Sequence, residues 1–353
     1  MAKTINLAEK YSKQVQERFY EDSYTQSSFA TDLDAEFVGV KTVRVYEVDT
    51  APMNDYTRSG TSRYGTPKEL NDNVYEFQMK KDRSFTYTID KGNQAEQMNI
   101  KEAGKTLRRQ MREVVTPEID EYRMKVWAEQ AGQHAALAAA PSKTTIVEAL
   151  MDANVALDKK HVPKKNRTFY IDISYYKYLK LASEWIGVDV LGRKSLEQGV
   201  IGTFDGVPVK ALATMPVNVY FMLIYKNSAI SPMKLKDYKI HSNVPGISGN
   251  LVEGRVMYDA FVKPTMANGI YVAAASGKVA TTPTIAIASN TLTLTGGDGE
   301  TLIYTTDGSD PRFSETAATY SATAKPTLQA GDTVRAAAKK TGSFWSDLAE
   351  SKN

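Results

Sequence analysis

The pattern of apolar residues changes near Gly277, and this change limits the folds open to the 353-residue chain. Before it, helical spacings alternate with strand-like apolar runs; after it, short alternating segments are separated by turn residues. Short, regularly spaced strands are typical of a small β-sandwich, whereas helices mixed with buried strands are typical of an α/β or α+β body. The sequence therefore predicts two domains, residues 1–278 and 279–353, in an α+β chain.

The strongest helical pattern lies in the middle of the first domain. Leu107 and Met111 fall on one side of a helix, but Pro117 follows them. A proline inside a helix removes a hydrogen bond and clashes with the preceding turn, and Thr116 before it suits an N-cap. We expect a long helix over residues 96–131 that is kinked, or cut into two, near Pro117.

Two strand-like runs, residues 41–48 and 74–90, flank a long polar stretch that contains glycines and prolines. Connections beyond about 12–15 residues are uncommon inside compact domains and are usually functional or disordered. We therefore expect an extended β-hairpin arm, with its loop at residues 49–95 and charged residues of its turn at 80–83.

The N-terminal residues are predicted to form a second arm, residues 1–40. Apolar residues recur there at every fourth position, which places one narrow apolar stripe on a helix. A single stripe must dock either on the body or on a neighbouring copy of the chain. The stripe consists of Leu7, Tyr11, Val15 and Phe19.

The rest of the first domain alternates helices with buried strands. Residues 219–230 are almost continuously apolar, as expected for a strand with both faces covered. The other predicted elements are helices at 144–162 and 175–186, a strand at 167–174, a turn-dense patch at 199–212, and strands at 251–262 and 269–276.

Composition excludes several classes of protein. The chain has no cysteine, so disulfides, thiolate catalysis and cysteine-ligated metals are absent. The net charge is only +3, so the overall charge gives no reason to expect a concentrated basic face. The N-terminus lacks the apolar core of a signal peptide, and no run reaches the length of a membrane span. We expect folding in a cytoplasm and no membrane partner.

We predict no catalytic, cofactor-binding or metal-binding residues. The three histidines, His134, His161 and His241, have no second histidine or carboxylate at metal-ligand spacing. The acidic group Glu118, Asp120 and Glu121 is expected at a helix N-terminus, where it favours the helix dipole.

Two glycine-containing motifs also favour structural roles. The glycines at 199, 202 and 206 do not match the dinucleotide fingerprint, so a hairpin turn is favoured over phosphate binding. Asp307 and Asp310 are too few, and wrongly spaced, for an EF-hand calcium loop.

The order of elements in the first domain resembles that of the major capsid proteins of tailed bacteriophages, the Hong Kong 97 fold. The resemblance implies an N-terminal arm (1–40), an extended hairpin loop (49–95), a spine helix (96–131), an axial domain (144–245) and closing peripheral strands (250–275). It rests on the sequences at residues 80–90, 114–132, 199–209, 254–262 and 269–272.

This resemblance implies a structural shell subunit and no enzyme. Many copies, as hexamers and pentamers, would enclose double-stranded DNA in an icosahedral virion capsid assembled in the bacterial cytoplasm. Because the chain starts almost directly at the arm, we expect either a separate scaffolding protein or removal of a scaffolding segment, together with a portal. Some members of the family form a Lys–Asn crosslink, but spacing does not choose among Lys68, Lys80 and Lys81, and we predict none.

The second domain resembles the C-terminal Ig-like domain of the chitobiase/β-hexosaminidase family. The matching residues are Ile303 through Pro311, then Val334, Ala336 and Ala338 through Asp347. In glycosidases this module is an accessory without catalytic carboxylates. On a capsid it would be a surface decoration that either packs on the shell or binds glycans or a host surface weakly.

Two alternatives to the capsid interpretation stay open. An encapsulin-type compartment shares the fold but packages a cargo enzyme. A carbohydrate-binding or glycosidase protein would require paired carboxylates in a cleft of a barrel-like body, and the body has no repeated β/α units.

Overall fold

The computed structural model describes residues 23–25, 28–29, 35–38, 42–48, 51, 53–67, 69, 72–90, 102–182, 202–242, 244–246 and 249–353. The predicted stripe from Leu7 to Phe19, together with Lys68 and Gly199, lies outside these residues.

Helices and strands are mixed throughout the first 275 residues, in agreement with the predicted α+β class. The helices are α1 (Glu102–Gln110), α2 (Thr116–Glu129), α3 (Ile146–Lys159) and α4 (Ile173–Leu181). The strands are β1 (Ala35–Val38), β2 (Thr42–Val48), β3 (Asp72–Gln78), β4 (Lys81–Asp90), β5 (Gln133–Leu137), β6 (Arg167–Asp172), β7 (Gly202–Phe204), β8 (Val207–Leu212), β9 (Val219–Tyr225), β10 (Ala229–Ile230), β11 (Met233–Ser242), β12 (Gly249–Tyr258), β13 (Phe261–Val262) and β14 (Ile270–Ala275).

A six-stranded mixed sheet forms the centre, with strand order β5-β14-β9-β6-β8-β7. Side chains alternate between its faces along each strand. On β6, Phe169 and Ile171 belong to a core that includes α3 and α4, whereas Tyr170 between them packs in a core with Trp127 of α2. The sheet is therefore covered by helices on both faces, which explains the continuously apolar sequence of β9.

The long helix is continuous from α1 to α2 through a π-helical turn, Met111–Val115. Thr116 has helical torsion angles, φ −62° and ψ −49°, and its N–H donates to the carbonyl of Met111, five residues earlier. The predicted N-cap at Thr116 is thus wrong, and the helix is not cut at Pro117. A π turn contains one extra residue and breaks the i to i−4 pattern, which accommodates a proline that has no N–H to donate.

The predicted strand at 74–90 is divided between two sheets at Met79 and Lys80. β3 pairs with β2 in the sheet β1-β2-β3, whereas β4 pairs with β12 in the sheet β11-β12-β4. Residues 81–90, predicted as part of the hairpin loop, therefore pair with β12 instead. The Lys80 N–H donates to Asp259 Oδ2 at 2.6 Å, where the chain crosses over.

Residues 279–353, the C-terminal region, contain two further sheets around one apolar core. The core includes Leu292, Leu294 and Val334. Residues 325–329 form no strand, and only an isolated bridge from Thr327 to Thr291 occurs there. The strands are β15 (Thr284–Ala288) with β16 (Thr291–Thr295), and β17 (Thr301–Thr305), β18 (Ala318–Thr319), β19 (Thr333–Lys339) and β20 (Ala349–Lys352) in the order β18-β17-β19-β20.

Candidate assembly surfaces and the C-terminal junction

The loop between β2 and β3 is the most exposed segment with large apolar side chains among the described residues. Met53 is 99 % exposed, Tyr64 83 % and Tyr56 54 %. The two tyrosine rings meet edge to face at 5.1 Å, and the Thr57 N–H donates to the carbonyl of Arg63 at 3.0 Å. Residues 53–67, the projecting loop, thus have local structure of their own and present apolar area that a partner surface can bury.

The base of this hairpin is anchored in the body. Val43 and Val45 of β2 are buried against Met257 and Phe261, and the rings of Phe77 and Phe261 stack at 4.6 Å. Because the base is fixed while the loop is exposed, the hairpin projects an ordered surface.

Asp120 lies in a buried polar cluster, not at a helix N-terminus as predicted. Its carboxylate accepts hydrogen bonds from Ser23 Oγ at 2.6 Å, Thr25 Oγ1 at 2.5 Å and the Tyr24 N–H at 3.1 Å. Arg123 Nη1 lies 3.2 Å away. A buried carboxylate is tolerated when its charge is paired and hydrogen-bonded, so this cluster fixes residues 23–25 on the long helix.

The two neighbouring acidic residues have separate surroundings. Glu118 accepts from Arg83 Nε at 2.9 Å and from the Tyr258 hydroxyl at 3.0 Å, which joins α2 to β4 and β12. Glu121 lies on a cleft of about 550 Å³, bounded also by Val217 and Phe344. Glu118, Asp120 and Glu121 therefore do not converge on one site.

The three histidines are also separate. His161 adopts a positive φ of 57° directly after α3, and His241 Nε2 lies 3.2 Å from Glu253 Oε2 on the paired strand. His134 of β5 is buried, and its Nε2 lies 2.8 Å from the carbonyl oxygen of Ala128. Since a carbonyl only accepts, Nε2 carries the proton of a neutral ring.

Burial lowers the pKa of His134 to about 3, although the Ala128 carbonyl opposes the shift. The positive charges of Arg312 and Lys339 lower this pKa further. His134 is therefore a neutral structural side chain over most of the pH range.

His134 also belongs to a junction between the body and the C-terminal region. Its ring stacks on Phe344 at 5.5 Å with an interplanar angle of 18°, and its backbone N–H donates to Asp347 Oδ1 at 2.8 Å. The carboxylate thus satisfies an N–H of β5, which is an edge strand of the central sheet.

Arg312 forms the second part of the junction. Its side chain is 2 % exposed and is paired with Asp310 at 2.6 Å. Nη1 donates to the carbonyl of Gly132 at 2.9 Å, just beyond the C-terminus of α2. A cation at a helix C-terminus is favoured by the helix dipole, so the junction joins the C-terminal region to the end of the long helix.

Gly132 is required by the close approach of two backbones at this place. The Gly132 N–H donates to the carbonyl of Ala267 at 2.9 Å. A Cβ on residue 132 would lie only 2.3 Å from the carbonyl carbon of Ala267.

The two aspartates considered for calcium serve local structure. Asp307 Oδ1 accepts from the Ser309 N–H at 2.9 Å and Oδ2 from Thr316 Oγ1 at 2.8 Å, while Asp310 is held by Arg312. In the part of the chain that the structure describes, no group of three or more His, Asp or Glu residues is arranged to hold a metal ion.

The glycine motif forms a hairpin turn where it is described. Asp205 and Gly206 both have positive φ, 49° and 76°, and they connect β7 to the antiparallel β8. Positive φ at both central positions is typical of a tight hairpin turn.

Lys80 and Lys81, the described lysines of the predicted arm, lie at the crossover between sheets, and Lys81 Nζ lies 5.0 Å from the centre of the Tyr122 ring.

Across the described ranges, no helix is both long and apolar enough to cross a membrane.

No family model matches the sequence, and no curated protein gives a significant sequence match. Solved structures do match. "Capsid structure of the Cyanophage P-SCSP1u" has a TM-score of 0.55 at 13 % identity, covering 68 % of this chain and 85 % of that chain.

Two further structures agree. "Capsid of Ralstonia phage GP4" has a TM-score of 0.51 at 9 % identity over 69 % of this chain and 87 % of its own. "Mycobacterium phage Che8" has a TM-score of 0.51 at 13 % identity over 70 % of this chain and 94 % of its own. The chain therefore has the fold of phage capsid structures.

Proposed function

We propose that this chain is the major capsid protein of a tailed bacteriophage, a shell subunit with the Hong Kong 97 fold. The observation that carries the proposal is the fold match, which spans 85 % and 87 % of the two chains named as capsids.

The described elements suit the subdomains of such a subunit. The hairpin of β2 and β3 corresponds to the extended loop, the helix from Glu102 to Glu129 to the spine, the central sheet with α3 and α4 to the axial domain, and β11 with β12 to the peripheral domain. Two predicted ranges change accordingly. β11 lies in the range predicted for the axial domain (144–245) but pairs with β12, and β14 lies in the range predicted for the peripheral strands (250–275) but belongs to the central sheet. The proposal also keeps the predicted boundary between the two domains, with the first ending at residue 278 and the second beginning at residue 279.

The projecting loop suits contact between copies. Its exposed Met53, Tyr56 and Tyr64 bury little area within their own chain. In a symmetric shell the same contact repeats many times, so a modest contact contributes strongly to the assembly through multivalency.

The C-terminal region would be an Ig-like decoration on the outer surface. Its aromatic side chains, Tyr304, Phe313, Tyr320, Phe344 and Trp345, are all partly buried. Phe313 and Phe344 pack on the core of the body, so packing on the shell is favoured over adhesion to a glycan or host surface.

The remaining partners follow from the same proposal. The shell would enclose double-stranded DNA, be assembled in the host cytoplasm with a separate scaffolding protein and a portal, and act without catalysis. An encapsulin-type shell, the alternative with the same fold, would instead contain a cargo enzyme.

Electron microscopy of the purified full-length chain tests the proposal. We expect closed shells, alone or with a co-expressed scaffolding protein. The double variant Met53→Asp/Tyr64→Asp should abolish shells because it places two charges in the contact, while thermal unfolding stays close to wild type since both side chains are exposed.

Ala322→Asp is the control, since Ala322 is exposed on the C-terminal region; it should assemble normally. A chain that stays monomeric under every assembly condition, or that cleaves chitin-type oligosaccharides, contradicts the capsid proposal. Shells that consistently contain one co-purifying enzyme and no packaged DNA support the encapsulin alternative.

A further inference from the structure

The end of α3 and the connection from it to β6 carry an unusual concentration of positive charge. Residues 158–166, the basic loop, read DKKHVPKKN, with four lysines and a single acidic residue. All four lysines are exposed. Because the net charge of the whole chain is only +3, this loop is a local departure from the average.

The basic loop has a fixed conformation. Arg167 is buried, and it donates from Nε to the carbonyl of Pro163 at 3.0 Å and from Nη2 to the carbonyl of Val162. The His161 N–H donates to the carbonyl of Asp158 at 2.9 Å, and Val162 packs against the apolar core under α3. The lysines therefore extend from an ordered backbone.

The acidic residue of the loop is already engaged. Asp158 Oδ1 accepts from Arg167 at 2.7 Å, and Oδ2 lies 3.2 Å from Lys164 Nζ. The hydrogen bond from Arg167 lowers the pKa of the Asp158 carboxyl. Among the described residues, no ion pair involves Lys159, Lys160 or Lys165.

Helix stability alone does not account for this charge. Lys159 and Lys160 lie at the C-terminus of α3, where the helix dipole favours a cation. That effect falls off within the last turn, and Lys165 lies beyond it. The helix dipole therefore does not account for Lys165, which a negatively charged partner would explain.

The chemistry of the loop favours a phosphate backbone over an acidic protein. Protein interfaces depend on buried aromatic or aliphatic anchors, but the one large apolar side chain of the loop, Val162, packs inward. The loop offers lysines, with no apolar anchor beside them and no arginine guanidinium group for bidentate hydrogen bonds. Such side chains suit sequence-independent contact with phosphates.

Val162 packs with α3 on one face of the central sheet, whereas Phe313 and Phe344 of the C-terminal region pack on the core of the other face. Burial raises the pKa of the Asp347 carboxyl in the C-terminal region, but Lys160 is still close enough to oppose that rise. The charge of the loop therefore carries the inference, and its place on the sheet does not.

We propose that the basic loop is a site at which the subunit contacts the phosphate backbone of double-stranded DNA. This inference rests on the proposed shell function, since it identifies which residues of the subunit meet the enclosed DNA.

The test uses the full-length chain with a fluorescein-labelled 30-base-pair duplex of arbitrary sequence. Fluorescence anisotropy is measured at protein concentrations where light scattering detects no particles. Each phosphate contact contributes about 0.9 to the slope of log K against log salt. The triple variant Lys159→Gln/Lys160→Gln/Lys165→Gln should therefore reduce the magnitude of that slope by about 2.7. Between roughly 50 and 200 mM salt, the affinity of the variant should then fall about 40-fold less than that of the wild type.

Two control variants make the result specific. Lys325→Gln/Lys340→Gln/Lys352→Gln removes the same charge from exposed positions of the C-terminal region and should leave the slope unchanged. Lys159→Arg/Lys160→Arg/Lys165→Arg keeps the charge and should also keep the slope. Thermal unfolding and electron microscopy of each variant confirm folding and report shell formation separately.

Equal slopes for the loop variant and the C-terminal variant would overturn the inference, as would absence of duplex binding by the wild type at low salt. Tighter binding of a polyglutamate peptide than of the duplex would also overturn it, in favour of an acidic protein partner. Shell formation by the loop variant without a change in slope refutes the DNA site alone, whereas failure of the wild type to form any shell refutes the proposed function.

Discussion

His134 connects three parts of the molecule through one residue. Its ring nitrogen meets the end of α2 at Ala128, its backbone meets Asp347, and its ring face meets Phe344. Each contact suits a neutral imidazole. A protonated ring would place a charge in a buried position beside Arg312, which is itself positive and 2 % exposed.

The depressed pKa of His134 makes stability depend on pH. The pKa rises from about 3 in the folded chain to 6.5 in the unfolded chain, so the unfolded state binds more protons below pH 6.5. Stability therefore falls as the pH decreases through this range. Between pH 7 and pH 4.5 we expect wild type to lose about 2.5 kcal/mol more than His134→Gln.

Urea unfolding at a series of pH values measures this difference, because the variant has no imidazole to protonate. Both proteins lose stability at acid pH for other reasons, such as the lowered pKa of Asp158, and the difference between the two curves removes that shared part. Parallel curves for wild type and variant would contradict the prediction.

The histidine and acidic residues also show where sequence reasoning reaches its limit. A structural role for Asp120 was predicted, but for the wrong reason, since its partners Ser23 and Thr25 lie 97 and 95 residues away. Local spacing reports neighbours on the same helix and carries no information about hydroxyl groups that arrive from a distant segment. The same holds for Arg312, whose partner carbonyl at Gly132 is 180 residues away.

At the scale of elements, the π turn Met111–Val115 is the main irregularity of the long helix. The carbonyl of Met111 accepts from both the N–H and the Oγ1 of Thr116, the latter at 2.9 Å. Thr116 is buried, so water cannot take the place of this carbonyl as the acceptor for its hydroxyl.

Thr116→Val tests the role of this hydroxyl in the π turn. The two side chains have similar shape, but valine removes one buried hydrogen bond, so we expect a loss of about 1 kcal/mol. Thr144→Val, at an exposed position before α3, serves as the control and should change the free energy of unfolding by less than about 0.5 kcal/mol. Equal urea midpoints for the two variants would show that the hydroxyl contributes nothing to the turn.

Elements with strong periodicity were predicted, and elements defined by tertiary pairing were missed. The predicted long helix is present from Glu102 to Glu129, and its predicted residues 96–101 lie outside the described residues. The helix at α3 and the strands β2, β6 and β9 are also present. β5 was missed because its sequence QHAAL has low strand propensity, and it is a strand because it pairs with β14. β11 was missed because its alternating lysines resemble a polar connection.

At the scale of the whole molecule, the C-terminal region is fixed to the body by more than its linker. Asp347 accepts from the His134 N–H at 2.8 Å, Arg312 donates to the carbonyl of Gly132 at 2.9 Å, and Phe313 packs on the core beneath the central sheet. These contacts are polar and apolar in combination, so the two parts should unfold together.

Arg312→Ala tests whether this junction makes unfolding cooperative. The change leaves the Asp310 carboxylate and the Gly132 carbonyl without their partner, and breaking a buried ion pair in this way costs about 3 kcal/mol. Because that cost falls on the contact between the two parts, we expect calorimetry to show one transition for wild type and two for the variant, and faster amide exchange in β5.

Arg335→Ala is the control. It removes the exposed pair with Glu350, 2.9 Å apart, and should cost less than about 1 kcal/mol with one transition retained. A single transition for Arg312→Ala at the wild-type temperature would mean that burial of Phe313 and Phe344 alone holds the C-terminal region in place.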